Sequence, residues 1–461
     1  MTYDPRRDPT ARHTDAPAAT ATDTAGTSSG SAARRALVGA WLGFFVDLFD
    51  IYLPIVVLTP AIEYFVSPRL GTAGTAIVSS GIFGVTLIGR PVGAAVFGRI
   101  ADTVGRKRAT VIAMTGAGTV TLLMALLPGY HQIGVTSVIL FLALRLLAGV
   151  FLGGEYTGAN PLAMEAAPRA KRGLYSGIIN TGFPLAYAAV SLITLLLLLL
   201  MPSQGARSAY AQWGWRIPFV IGALLSLALA VYYRRTVSES AVFAGAQRTR
   251  APLRELFSPH NARRFIQVFV LMTGFWLSLQ PIAASLPLLL GKHGVGMTSR
   301  QVTLTLVVAY LLLAGAEVAA AVLSQRIGRK YFLTWAGGGI ALAGGGLFLA
   351  VVGIGPGHPV WTVTATILLV LVVLCPWAVL PAYINERFAT PVRASGYGLA
   401  YSLAVVIPSF YAFYQAGLST FMPYDHTGAV LLITGAALIL VGALTGPETT
   451  HLDLGHADEP S

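Results

Sequence analysis

Two carboxylates, Asp47 and Asp50, interrupt the otherwise apolar residues 36–60 in the run "GFFVDLFDIY". Their spacing puts both on one helical face, about 4.5 Å apart in rise. Like charges this close oppose simultaneous ionisation, so one of the pair is expected to carry a proton. The other ionisable residues inside apolar runs are few: Arg90, Arg145, Glu155, Arg216 and Glu317. Each costs at least about 2.5–3.5 kcal/mol at the centre of a helix in lipid, so each must face a protein interior or water. Arg145 and Glu155 share one run but lie about 15 Å apart in helical rise, so each needs a partner elsewhere. Asp47, Asp50, Arg145, Glu155 and Glu317 are therefore the candidates for holding protons or a polar ligand, with Arg145 the candidate for an anion. The alternative is structural: two aspartates permanently bridged to Arg145 or Arg90. Asn160, Asn180, Gln280, Tyr397 and Tyr401 are candidates for lining a cavity.

These residues need elements that hold them, and composition says which. The chain has 461 residues, 55% hydrophobic and 11% charged, with mean hydropathy +0.69. A soluble chain carries roughly a quarter charged residues, so most of this chain has no water to face. Fifty glycines and 26 prolines fit helices that pack closely and bend in a membrane. The single cysteine, Cys375, excludes a disulfide framework. The net charge of +12 is spread along the chain without a contiguous basic domain, which argues against a nucleic-acid partner. No G-x-x-x-x-G-K-[ST] loop is present and the His residues form no converging set, so neither ATP hydrolysis nor an enzyme's active site is expected. No cofactor is expected either.

A membrane span needs about 20 mostly apolar residues. Twelve candidates start near Ala36, Ala76, Ala109, Val138, Gly173 and Gly214, then near Phe265, Gln301, Tyr331, Val360, Ala394 and Ala429. The predicted fold is all-α and integral to the membrane. Its parts are a disordered tail (residues 1–35), a six-helix bundle (36–233), a linker (234–264), a second six-helix bundle (265–446) and a short tail (447–461). Lys and Arg concentrate in alternate connections, such as "GRIADTVGRKR", "APRAKRG", "QRIGRK" and "NERFATPVR", while the opposite set holds only Arg69, Arg207, Lys292 and Arg300. That asymmetry places both termini in the cytoplasm.

The halves repeat. "DTVGRK" at residues 102–107 aligns with "QRIGRK" at residues 325–330, an offset of 223. Glu165 precedes Arg172 as Glu386 precedes Arg393, an offset of 221. Two independent features at nearly one offset indicate a duplicated unit, as in one class of transporter.

"GRIADTVGRKR" resembles the loop motif between the second and third helices of the major facilitator superfamily, with Gly98, Asp102, Gly105, Arg106 and Lys107 matching it. "DLFDIY", "RLLAGVFLGGEYTGA", "WRIPF" and "ERFATPVRASGYG" are similar to its metabolite:proton symporter branch, where Glu usually stands at the position of Asp47. "PETT" after the last span resembles the ending of the neighbouring sugar porters. The resemblance implies a secondary active transporter in the inner (cytoplasmic) membrane, working by alternating access and acting as a monomer. It implies symport of a small polar metabolite, preferably a carboxylated organic acid, driven by a proton gradient. It assigns the loop motif to cytoplasmic gating. The alternatives are a sugar-porter-like carrier, an uncoupled facilitator and a transporter-like receptor.

Overall fold

In hydrocarbon a backbone must satisfy its own N–H and C=O groups, so apolar runs of this length fold as helices. The computed structural model describes residues 21–67, 71–203, 205–245, 252–291, 295–354 and 357–454. Among these residues the chain is helical, with no strand. Eleven segments are long and apolar enough to cross a membrane; the Gly71–Thr103 helix completes the twelve. In the first half they are α1 (Ser31–Val57), α2 (Gly71–Thr103), α3 (Arg106–Ala125), α4 (Thr136–Ala166), α5 (Arg169–Leu200) and α6 (Tyr210–Thr236). In the second half they are α7 (Pro259–Leu290), α8 (Arg300–Ile327), α9 (Arg329–Ile354), α10 (Pro359–Arg387), α11 (Thr390–Leu418) and α12 (Tyr424–Thr445).

The first helix starts at Ala21, ahead of the boundary expected at residue 36. The helix runs through "ATDTAGTSSGSAARRA", past the end of the apolar run, although most of those residues are weak helix formers. Residues 1–20 of the expected tail, 246–251 of the linker and 455–461 of the last tail lie outside the described residues. The linker contains two short helices, Ala241–Gly245 and Pro252–Leu256.

Large apolar side chains such as Leu199, Leu200, Trp335, Leu342 and Phe413 are exposed on the outside, where lipid rather than water surrounds them. Inside each half the helices pack closely. Gly149 and Gly153 on α4 face the backbone carbonyls of Thr86 and Arg90 on α2, and a Cβ at either glycine would collide with them. That approach sets Thr86 within hydrogen-bonding distance of Arg145.

The halves meet along two helix pairs, α2 with α11 and α5 with α8. Under the repeat α2 corresponds to α8 and α11 to α5, so the two seams are related by the internal duplication. Several helices are interrupted where the halves face each other, α11 among them after Leu403. Proline removes a helical N–H, and α7 passes into a π-helical turn at Pro281–Ser285. Around Pro376, α10 tightens to a 3-10 turn at Cys375–Val379, and α1 ends in a π turn at Leu53–Val57 containing Pro54.

Candidate functional site

Four ionisable groups form two buried pairs inside the first bundle. Arg90 on α2 donates Nη1 and Nη2 to Asp47 Oδ1 and Oδ2, both at 3.1 Å. Arg145 on α4 donates Nη1 to Asp50 Oδ2 at 3.0 Å and Nε to Thr86 Oγ1 at 2.9 Å. Thr121 on α3 donates to Asp50 Oδ1 at 2.7 Å. All four side chains are at most 6% exposed. The two aspartates therefore do not share one site, as their spacing suggested. The arginines of two different helices give each its own cation, and an ionised pair in such a setting needs those extra donors. Arg145 is engaged by Asp50 and does not line the central cavity described below.

The remaining candidates are placed differently. Glu155 on α4 is buried, and neither of its carboxyl oxygens has a hydrogen-bond partner. Glu317 on α8 accepts a 2.7 Å hydrogen bond at Oε1 from Asn180 Nδ2 on α5, while its Oε2 has no partner. The Asn180–Glu317 bond crosses between the halves. It continues a zipper along α5 and α8, with Gln325 accepting from the Gly173 N–H at one end and Tyr187 stacked on Tyr310 at the other.

A cavity lies between the halves. Its α1 wall is Phe44, Leu48, Ile51 and Tyr52, and its α5 wall is Asn180 and Phe183. Trp276, Leu279 and Gln280 face it from α7, Trp377 from the interrupted part of α10, and Tyr401 from α11. Such a lining, mostly apolar with a few polar groups, fits a small organic ligand. Trp276 donates Nε1 to the Tyr401 carbonyl at 3.0 Å, which fixes its ring, whereas the buried Trp377 Nε1 has no partner. Asn180, Gln280 and Tyr401 are thus where the sequence placed them, on the cavity wall. Asn160 and Tyr397 do not line it: Tyr397 is turned onto Tyr156, ring centroids 5.0 Å apart, and Asn160 is buried within α4. Trp276 and Trp377 were not anticipated, because a tryptophan in an apolar run carries no sequence signal that separates a cavity wall from packing.

One face of the molecule is closed by the loop motif. Asp102, at the end of α2, accepts from the Ala394 and Ser395 N–H groups at 3.2 and 2.8 Å, holding the N-terminus of the α11 helix. Gly98 lets α2 approach: a Cβ there would sit 2.9 Å from Ser395 Cα. Arg106 donates to Asp102 at 3.3 Å, to Glu165 at 2.9 Å and, across the seam, to the Thr390 carbonyl at 3.1 Å. Gly105 adopts φ +132°, a value favouring glycine, and the N–H groups of Arg106 and Lys107 then donate to Glu239, each at 3.2 Å.

The second half repeats this with changes. Gly328 has φ +103°, and the Arg329 and Lys330 N–H groups donate to Glu448 at 3.0 Å each. Arg329 binds Glu386, and Gln325 takes the place of the acid, with one helix-end bond instead of two. Glu448 titrates below the usual carboxylate range. Partial burial works against this, but the N–H donors of Thr450, Arg329 and Lys330 outweigh it. Beyond it, the carbonyls of Thr450, Leu452 and Leu454 accept from Arg169, Arg172 and Arg393, so the C-terminal segment straps both halves.

Comparison with known proteins agrees with this architecture. The family model described as Major Facilitator Superfamily matches residues 40–413. The inner membrane metabolite transport protein YhjE of Escherichia coli (strain K12) is 28% identical over 433 residues, covering 91% of this chain and 96% of the relative. The shikimate transporter of the same organism is 30% identical over 442 residues, covering 91% and 95%. Among solved structures, the proton:xylose symporter XylE bound to 6-bromo-6-deoxy-D-glucose superposes with a TM-score of 0.75 at 17% identity, covering 93% of this chain and 99% of that one. At that identity the likeness concerns the fold.

Proposed function

Because the chain belongs to the Major Facilitator Superfamily, and is therefore a multi-pass membrane transporter rather than an enzyme, we propose that it performs proton-coupled symport of a small carboxylated metabolite. The observation that carries this reading is the Asp50–Arg145 pair at 3.0 Å, with Asp50 immediately preceding the cavity-wall residues Ile51 and Tyr52. Protonating Asp50 removes the charge that occupies Arg145, which then has hydrogen-bond capacity for a substrate carboxylate. Deprotonation returns the guanidinium to Asp50 and weakens substrate binding. Proton and anion thus favour the same state, and the proton gradient is the energy source. No bound cofactor takes part in this scheme.

The aromatic and amide groups position the body of the substrate. The loop-motif face closes in the state described here, and rocking of one half against the other exposes the cavity alternately on each side. The basic connections support a placement of this face, with both termini, in the cytoplasm of a cell whose inner membrane holds the protein. A monomer suffices, since both seams lie within one chain.

A sugar-porter-like substrate is the second reading. It is favoured by the cavity wall, which carries two amides and four indole or phenol groups but no cation. The test is a thermal-shift screen of the purified protein against organic acids, sugars and betaines, followed by counterflow with the compound that stabilises most. The proposal predicts a carboxylate such as shikimate as the strongest ligand. Stabilisation by neutral sugars alone favours the second reading.

A further inference from the structure

The charges inside the first bundle balance only if one acid is neutral. Asp47 and Asp50 are matched by Arg90 and Arg145, each pair within hydrogen-bonding distance. Glu155 is then the odd charge. Its two oxygens are buried without a donor, and an isolated ionised carboxylate in such surroundings is far costlier than a neutral one.

The pocket around it is built. An ideal Cβ at Gly43 on α1 would stand 3.1 Å from Glu155 Oε1 and 3.3 Å from Met114 Cε on α3. Glycine at position 43 is therefore what makes room for the carboxyl group. One turn earlier, Gly39 would place a Cβ 3.0 Å from the Tyr233 hydroxyl of α6, and that buried hydroxyl also lacks a partner. The charged groups acting on Glu155 are Asp47 and Asp50 from α1 and Arg90 from α2. Tyr233 is the titratable group on α6, and α3 presents Met114 there.

We propose that Glu155 is the proton-holding residue of the first bundle in this closed state, taking the proton that neither arginine-paired aspartate retains. One O–H bond forms at a Glu155 oxygen, with the proton drawn from water, and the interior stays neutral. The aspartates lie on α1 beyond Gly43, so Asp50, Asp47 and Glu155 form a descending series of acids toward the loop-motif face. An arginine that leaves Asp47 or Asp50 exposes that aspartate to protonation and compensates Glu155 as it ionises. This account rests on the proton-coupled reading for the use of the proton, not for its location.

The test is infrared difference spectroscopy of the carboxylic C=O stretch in reconstituted protein at neutral pH, without substrate. It is done in a Glu317→Gln background, because Glu317 also has an unpartnered oxygen. The band is expected to disappear in E155Q. It is also expected to disappear in D47N, where the freed Arg90 compensates an ionised Glu155. A band unchanged in E155Q overturns the assignment, and a band retained in D47N overturns the charge balance behind it. Counterflow then separates location from use. With the band assigned to Glu155, E155Q is expected to retain exchange but to lose gradient-driven accumulation. If the wild-type protein itself moves substrate without protons, the proton-coupled reading fails while the spectroscopic assignment stands.

Discussion

A single carboxylate oxygen joins the halves of the molecule: Glu165 Oε1 accepts from Arg393 on α11 at 2.7 Å and from Arg106 on α3 at 2.9 Å. Both guanidinium groups are fully buried. Glu165→Gln leaves the buried Arg393 without its anion and Arg106 with Asp102 alone, a loss on the order of 3–5 kcal/mol for the closed state. We predict that a cysteine introduced at Ser395 becomes reactive to aqueous thiol reagents in this variant, on a Cys375→Ser background. Equal labelling in the presence and absence of Glu165 contradicts the latch.

Closure at the same seam also depends on space. Gly98→Val should obstruct the approach of α2 to α11, because even a Cβ reaches within 2.9 Å of Ser395 Cα. Gly338→Val serves as control, since nothing lies within 4 Å of a Cβ there. The expected result is increased labelling at position 395 and impaired transport in the first variant only.

How much of this was legible beforehand varies with the type of interaction. The twelve spans follow from hydropathy, since the bilayer imposes length and apolarity on each. The duplication was readable because Gly105 and Gly328 need the same positive φ and Arg106 and Arg329 the same acid. Pairing was readable only as an alternative, the two aspartates bridged to Arg145 or Arg90, with nothing to say which arginine takes which acid. Asp47 and Asp50 look like one site when only α1 is considered, and the arginines that separate them come from helices 43 and 95 residues away in sequence. Glu239 and Glu448 were missed as a related pair, because they lie outside the spans and at a different offset from the other repeats.

The Asp47–Arg90 pair is bidentate, and lysine cannot reproduce its fork. Arg90→Lys is therefore expected to lower the melting temperature of detergent-purified protein. Removing either partner should cost about 3–5 kcal/mol. The double variant Asp47→Asn/Arg90→Gln should cost less than the sum of the single changes. Additive losses rule out direct coupling.

Asn180 has two duties, lining the cavity and donating to Glu317 across the halves. Asn180→Leu is predicted to raise KM and also to slow exchange. Gln280→Leu, on the same wall but without a cross-half bond of this kind, should chiefly raise KM. Identical effects on both parameters in the two variants would argue that the Asn180–Glu317 bond has no part in rearrangement.

The C-terminal strap gives a pH signature. Glu448 is held below its usual value of 4.5 in the folded chain. Its contribution to stability is thus complete above that value and is lost as pH falls through the lower folded value. Melting temperature measured down through pH 4.5 should fall less steeply in Glu448→Gln than in wild type. Parallel curves would show that the strap does not report on this group.

The most direct test of coupling is proton movement itself. Proteoliposomes carrying a lumenal pH dye are given the carboxylate that stabilises the protein most, with no imposed gradient. The account predicts lumenal acidification that accompanies substrate entry in wild type and is absent in Asp50→Asn, which still binds ligand. Substrate entry in wild type without any proton flux would contradict it.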